Sequence, residues 1–157
     1  MTYDHIKEFK VFDQVIKETL RIHPPLVQIM RLVVNDITYK NIRIPAGHFI
    51  CASPTANHML ENVFPNPKKF DPERFSIAQE EEEQQKQFNG KFAYSPFGGG
   101  RHRCIGEQYA YMQLKTIWAT IFRHYDIEAV QPVPLPSYTS LVVLPTEPSH
   151  IKFVKRK

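Results

Sequence analysis

The sequence predicts a mainly α chain with small β-sheets, an α+β arrangement. Two long segments repeat apolar residues at helical spacing. Short apolar stretches bounded by Pro, Gly, Asn or Asp lie between and after them. Thirteen prolines against six glycines in 157 residues favour extended connections over flexible linkers.

The first helix is expected over residues 6–22, where Ile6, Phe9, Phe12, Val15, Ile16 and Leu20 share a face. His23-Pro24-Pro25 ends it, because a residue before proline is pushed out of the helical region. Strands are expected at 31–34 and 39–44 with Asn35-Asp36 as the turn between them. Pro45-Ala46-Gly47 then turns into a strand at 48–52. A short helix over 53–60 comes next, with Ser53 as cap and Pro54 at the first helical position. Residues 63–75 are Pro-rich and irregular, and the acid and amide run over 80–87 reads as a solvated surface insertion. The second long helix is expected over 105–125, with Ala110, Leu114, Ile117, Trp118, Ile121, Phe122 and Tyr125 on one face. Pro132, Pro134 and Pro136 break the next segment, and strands at 138–144 and 150–154 are expected to form a hairpin around residues 145–148.

Composition excludes several classes. Hydrophobic residues are 42% and aromatics 12%, as in a globular chain. A net charge of +4 suits an acidic partner or an anionic surface, but no recurring basic and aromatic pattern points to nucleic acid. Cys51 and Cys104 fit neither zinc spacing nor a disulfide scaffold. No apolar run approaches the ~18 residues of a membrane span, and the helical pattern beginning near Met1 predicts no signal peptide. Both long helices are apolar over wide faces, and nothing else in the chain is large enough to cover them, which points to a missing helical part.

The densest chemistry lies in Phe97-Gly98-Gly99-Gly100-Arg101-His102-Arg103-Cys104-Ile105-Gly106. A cysteine at the start of a helix and beside three basic residues is placed to favour a thiolate. The glycines let the backbone approach a flat, bulky group without side-chain clashes. A buried cysteine acting only as a small hydrophobe, a phosphate cradle, and a nucleophile with His102 as base are the other readings. The phosphate loop requires Lys-Ser/Thr after its last Gly, and Arg-His-Arg-Cys stands there instead.

In full spacing, Phe97, Gly98, Gly100, His102, Cys104, Ile105 and Gly106 resemble the haem-ligand signature of the cytochrome P450 family. Upstream, Glu18-Thr19-Leu20-Arg21 is similar to that family's Glu-x-x-Arg helix motif, and Pro72-Glu73-Arg74-Phe75 to its Arg-bearing motif. The resemblance implies that the chain is the C-terminal, haem-ligand part of the P450 fold. Residues 1–157 would be one portion of a single domain whose N-terminal part is absent. It implies Cys104 as axial ligand of haem iron (iron protoporphyrin IX), with Phe97, Gly98 and Gly106 around the cofactor. It also implies a structural ion-pair network of Glu18, Arg21 and Arg74.

His23-Pro24-Pro25-Leu26 with Gln28-Ile29-Met30-Arg31, the Arg101-His102-Arg103 tripeptide, residues 110–118, Tyr138-Thr139-Ser140, and Pro145-Thr146-Glu147-Pro148 with the basic tail over 152–157 look most like the sterol 14-alpha-demethylase branch. By that likeness Arg31 and His102 bind haem propionates, and Leu26, Ile29, Met30, Leu141 and Val142 line the cavity for a sterol or other apolar small molecule. The implied parent is a monooxygenase using O2 and electrons from an NADPH-dependent reductase, on the cytosolic face of the endoplasmic reticulum membrane, attached only through an N-terminal anchor outside this chain. The distal helix that relays protons is also outside it, so the chain alone is expected to lack activity. Two alternatives are a P450 of another substrate class and an inactive haem-binding scaffold. The scaffold would meet an acidic flavodoxin-like partner through Arg101, Arg103 and Lys115.

Overall fold

The computed structural model describes residues 3–76 and 93–156. The acidic run over 80–87 lies outside the described residues. Four helices are described: α1 (Tyr3–Lys7), α2 (Lys10–Ile22), α3 (Pro54–His58) and α4 (Glu107–His124). Short 3-10 turns form at Pro72–Phe75 and Gly100–His102. Eight short strands pair in four separate two-stranded sheets, so the chain is α+β with no extended sheet among the described residues.

The first helical segment is two helices rather than one. Phe9 leaves the helical region, and its ring packs on Phe12 with centroids 5.6 Å apart. The break lets α1 lie against α4. At the other end of α2, the His23 amide bonds the Thr19 carbonyl at 2.7 Å, ahead of the two prolines.

The first strands pair differently from expectation. β1 (Ile29–Leu32) pairs antiparallel with β4 (Phe49–Ala52), Arg31 opposite Ile50. The hairpin of β2 (Ile37–Tyr39) and β3 (Ile42–Ile44) is nested between them and turns at Lys40-Asn41, not at Asn35-Asp36. Lys40 takes the left-handed region at φ 52°. Asp36 instead closes the hairpin's neck. Its Oδ1 accepts the Ala46 amide at 2.9 Å and its Oδ2 accepts the Arg43 guanidinium. These contacts hold its carboxyl below the usual range, the Ala46 amide contributing most.

In α3 the cap is as expected: Ser53 Oγ accepts the Ala56 amide at 3.3 Å, with Pro54 opening the helix. α4 starts at Glu107, two residues later than its pattern suggests, and Ile105 stands fully exposed before it. The C-terminal strands also differ from the expected single hairpin. β6 (Pro136–Ser137) pairs with β7 (Leu144–Pro145), while β8 (Ile151–Lys155) returns to β5 (Tyr125–Ala129), the strand that continues directly from α4. Residues 125–129 alternate, but continue the helical face without a break, so the helix pattern hides the strand.

α2 and α4 meet through Phe12 and Phe122 at 6.1 Å and through Lys115, whose ammonium is buried against Asp13. Ile16, Val33 and Phe64, with the prolines Pro24 and Pro54, are the buried apolar side chains among the described residues. Tyr109, Met112, Leu114, Ile117 and Phe122 of α4 are exposed. Among the described residues no helix is long and apolar enough to cross a membrane.

Candidate functional site

The site is built on a polar cluster at the C-terminal half of α2. The i,i+3 spacing puts Glu18 and Arg21 on one face, where the guanidinium forks onto the carboxylate: Nε to Oε2 at 2.7 Å and Nη2 to Oε1 at 2.9 Å. Glu18 Oε1 also accepts Arg74 Nε at 3.1 Å and the Asp71 amide at 2.8 Å. Arg21 reaches further, donating to the carbonyls of His58 at 2.9 Å and Lys69 at 3.2 Å. Arg74 donates to the carbonyls of Pro65 and Lys69. Glu18 and Arg21 are fully buried, yet each charged atom has partners, which buried charge requires. Glu18, Arg21 and Arg74 therefore meet in one cluster.

No motif or periodicity in the sequence marks His58. It is fully buried at the end of α3. Its Nδ1 faces the Arg21 carbonyl at 3.1 Å and its Nε2 accepts the Ser95 amide at 3.1 Å. Its ring stacks on Tyr94 at 5.2 Å and meets Phe64 edge-on at 6.0 Å. Burial lowers its pKa to about 4, helped by the nearby Arg21 charge and opposed by the bond to the Arg21 carbonyl. Tyr94 donates its hydroxyl to the Lys17 carbonyl at 2.9 Å and packs on Phe75. Burial pushes its phenol and that of Tyr111 of α4 up, Tyr111 to about 12.

Ser95 leads directly into the cysteine loop. Its carbonyl accepts the Gly98 amide at 3.0 Å, and the Phe97 carbonyl accepts the Cys104 amide at 2.9 Å, closing residues 97–104 into a ring. Gly98 and Gly100 have φ of +74° and +66°, conformations that disfavour side chains. A β-carbon on Gly106 would sit 3.7 Å from Cys104 Sγ, so any side chain there would lie against the sulfur. The Phe97 ring packs on Tyr111 of α4 at 5.9 Å. Cys104 is exposed, with fully exposed Ile105 beside it. It lies three residues before α4 rather than at its first turn. An accessible single sulfur donor on a glycine-bared loop beside exposed apolar side chains fits a flat apolar cofactor that takes one axial protein ligand.

The basic residues are arranged differently from expectation. Arg103 forks onto Glu107 with both distances 2.6 Å, so its charge is directed there rather than at the cysteine. Lys115 is buried against Asp13 and adds nothing to a basic docking face with Arg101 and Arg103. His102 is exposed in the short turn before Cys104. Arg31 is exposed on β1, its Nη1 donating to the neighbouring Met30 carbonyl at 2.8 Å.

Two contacts locate members of the expected apolar wall. The Val143 amide donates to the Pro25 carbonyl at 2.8 Å, setting Leu26 beside the hairpin that carries Leu141 and Val142. Ile29 Cδ1 lies 3.7 Å from where a Gly98 β-carbon would be, against the cysteine loop. Leu26, Met30, Leu141 and Val142 are all exposed.

A family model described as Cytochrome P450 matches residues 1–153. The lanosterol 14-alpha demethylase of Bos taurus is 41% identical over 149 residues, covering 94% of this chain and 28% of that protein. The sterol 14-demethylase of Arabidopsis thaliana is 40% identical over 146 residues, covering 90% and 29%. The solved structure of a retinoic acid-bound cyanobacterial CYP120A1 superposes with a TM-score of 0.86 at 25% identity, over 99% of this chain and 35% of that one. The chain thus spans under a third of the length of these curated relatives.

Proposed function

Because the chain belongs to the cytochrome P450 family, we propose that it holds haem iron through the Cys104 thiolate, as the C-terminal portion of a monooxygenase of the sterol 14-alpha-demethylase type. The observation that carries this is the closed ring from Phe97 to Cys104, which presents one exposed sulfur beside glycine backbone. When bound, haem supplies dioxygen activation with electrons from an NADPH-dependent reductase, and a thiolate ligand favours O–O cleavage.

Each chain residue has a bounded role. The Phe97 carbonyl pins the Cys104 amide, and the bare glycines leave room for the ring. Arg31 and His102 supply a cation and a donor for the propionates. Leu26, Ile29, Met30, Leu141 and Val142 supply an apolar wall for a sterol, supported by the Pro25–Val143 tie and the seating of Ile29 on the loop. The likeness to the sterol demethylases brings with it an endoplasmic reticulum location, facing the cytosol.

The direct test is the spectrum of the haem-loaded, reduced chain under carbon monoxide. We expect the red-shifted Soret band of thiolate ligation. Cys104→Ala should abolish it and Cys51→Ala should keep it; a band that survives Cys104→Ala removes the assignment. A P450 of another substrate class is the alternative, favoured by the retinoic acid bound in the similar cyanobacterial structure. Titration of the haem-loaded chain with lanosterol and with retinoic acid separates the two by which ligand perturbs the Soret band.

A further inference from the structure

We propose that His58 is a positioning residue for Cys104: a neutral imidazole carrying its proton on Nδ1, it ties the start of the cysteine loop to the carbonyl end of α2. The inference rests on Cys104 being the haem ligand, and concerns a residue outside the three family motifs.

The tautomer follows from geometry. Nδ1 faces a carbonyl oxygen, that of Arg21, and must donate to it. Nε2 faces a backbone N–H, that of Ser95, and must accept from it. Only the neutral ring with hydrogen on Nδ1 does both. The Arg21 carbonyl lies in the last turn of α2, where the helix leaves carbonyls without helical partners. Arg21 answers in kind, its Nη1 donating to the His58 backbone carbonyl at 2.9 Å. His58 and Arg21 are thus joined twice, side chain to backbone in both directions.

From the other ring nitrogen the tie runs into the loop. The Ser95 amide is held by His58, the Ser95 carbonyl holds the Gly98 amide, and the Phe97 carbonyl holds the Cys104 amide. Tyr94, next in sequence to Ser95, stacks on the same imidazole and bonds the Lys17 carbonyl of α2. The loop's starting point is therefore set against the Glu18–Arg21–Arg74 cluster by one two-ended side chain. Protonation would turn Nε2 into a donor aimed at the Ser95 N–H and break the tie. The groups facing the ring are Arg21, which disfavours a second positive charge, and Tyr94, whose phenol stays protonated.

The test uses wild type, His58→Phe, which keeps the ring but neither hydrogen bond, and His58→Gln, which keeps a donor and an acceptor. In the wild-type chain, imidazole 15N shifts should report the Nδ1–H tautomer. His58→Phe should speed Ser95 amide exchange by about tenfold or more and shift the reduced carbon monoxide spectrum of the haem-loaded chain away from thiolate ligation. His58→Gln should restore both. An Nε2–H tautomer in wild type overturns the proposal, as does His58→Phe with unchanged Ser95 exchange and spectrum. If neither variant folds, the wild-type tautomer decides. Cys104→Ala should remove the thiolate band while leaving the His58 tautomer and Ser95 exchange intact. If it keeps the band while those hold, the ligand assignment fails and the His58–Ser95 tie stands.

Discussion

Arg21, His58 and Glu18 are the largest fully buried side chains among the described residues. Their burial is tolerable because every charge and ring nitrogen is matched. His58 makes this pH-sensitive. Its pKa is near 4 when folded against an ordinary 6.5, so between those values the unfolded chain binds the extra proton. Above pH 6.5 the imidazole is neutral in both states and contributes no pH dependence. Stability should fall as pH drops from about 6.5 to about 4, by about 3 kcal/mol in all. Chemical denaturation at several pH values should show this slope, and His58→Gln should flatten it; a slope unchanged by His58→Gln would point to other groups. The carboxyls of Asp71, held low chiefly by Lys69, and of Asp36 add their own loss at more acid pH. Glu18 and Arg21 were legible in the sequence because i,i+3 spacing on a helix makes them neighbours. His58 was not: its partners lie 37 residues away on either side, and a lone histidine in a five-residue helix has no periodic signal.

Between elements, Glu18 is the fastening of α2 to the Pro72–Phe75 turn, through Arg74 and the Asp71 amide. Glu18→Gln should cost about 3–5 kcal/mol, because two buried or half-buried guanidinium groups lose their counter-charge. Lys152→Ala, breaking an exposed pair with Glu128, should cost less than about 1 kcal/mol. Urea unfolding of both variants checks the contrast, and similar midpoints would refute it. Helix existence was readable here from periodicity, and the cap of α3 from Ser53-Pro54. Strand partners were not. The 31–34 segment looks able to pair with the strand after its first turn, but the Lys40 turn nests a separate hairpin and leaves β1 to β4. Likewise β8 comes after the Pro145–Pro148 break yet pairs across it with β5, because register over such distance is a tertiary property that local residues do not encode.

For the molecule as a whole, the apolar inventory is mostly on the outside: the face of α4, the edge residues of β1 and β4, and the 133–144 segment are exposed. The uncovered helix faces are legible in the sequence, since two wide apolar stripes have no element large enough to cover them. The chain corresponds to about 28% of its mammalian relatives. It carries the Cys104 loop and the Glu18–Arg21–Arg74 cluster, the parts on which the proposed assignment rests. We therefore expect the haem-loaded chain, given a reductase and NADPH, to show the thiolate spectrum without demethylating lanosterol. Product formation measured by chromatography would overturn that expectation.

The polar cluster also constrains the order in which the chain can assemble. Glu18 and Arg21 precede their partners along the chain: the carbonyl of His58 comes 37 residues after Arg21, the Arg74 guanidinium 56 after Glu18, and the Tyr94 hydroxyl 77 after Lys17. Until those groups arrive, the ion pair keeps its water, because burying it half-matched costs more than leaving it exposed. The C-terminal half of α2 can settle only when α3, the Pro72–Phe75 turn and the first residues of the cysteine loop arrive with it. Formation of the cysteine loop and desiccation of the charged cluster are then a single cooperative step, bearing the loop-closure entropy of every intervening segment at once.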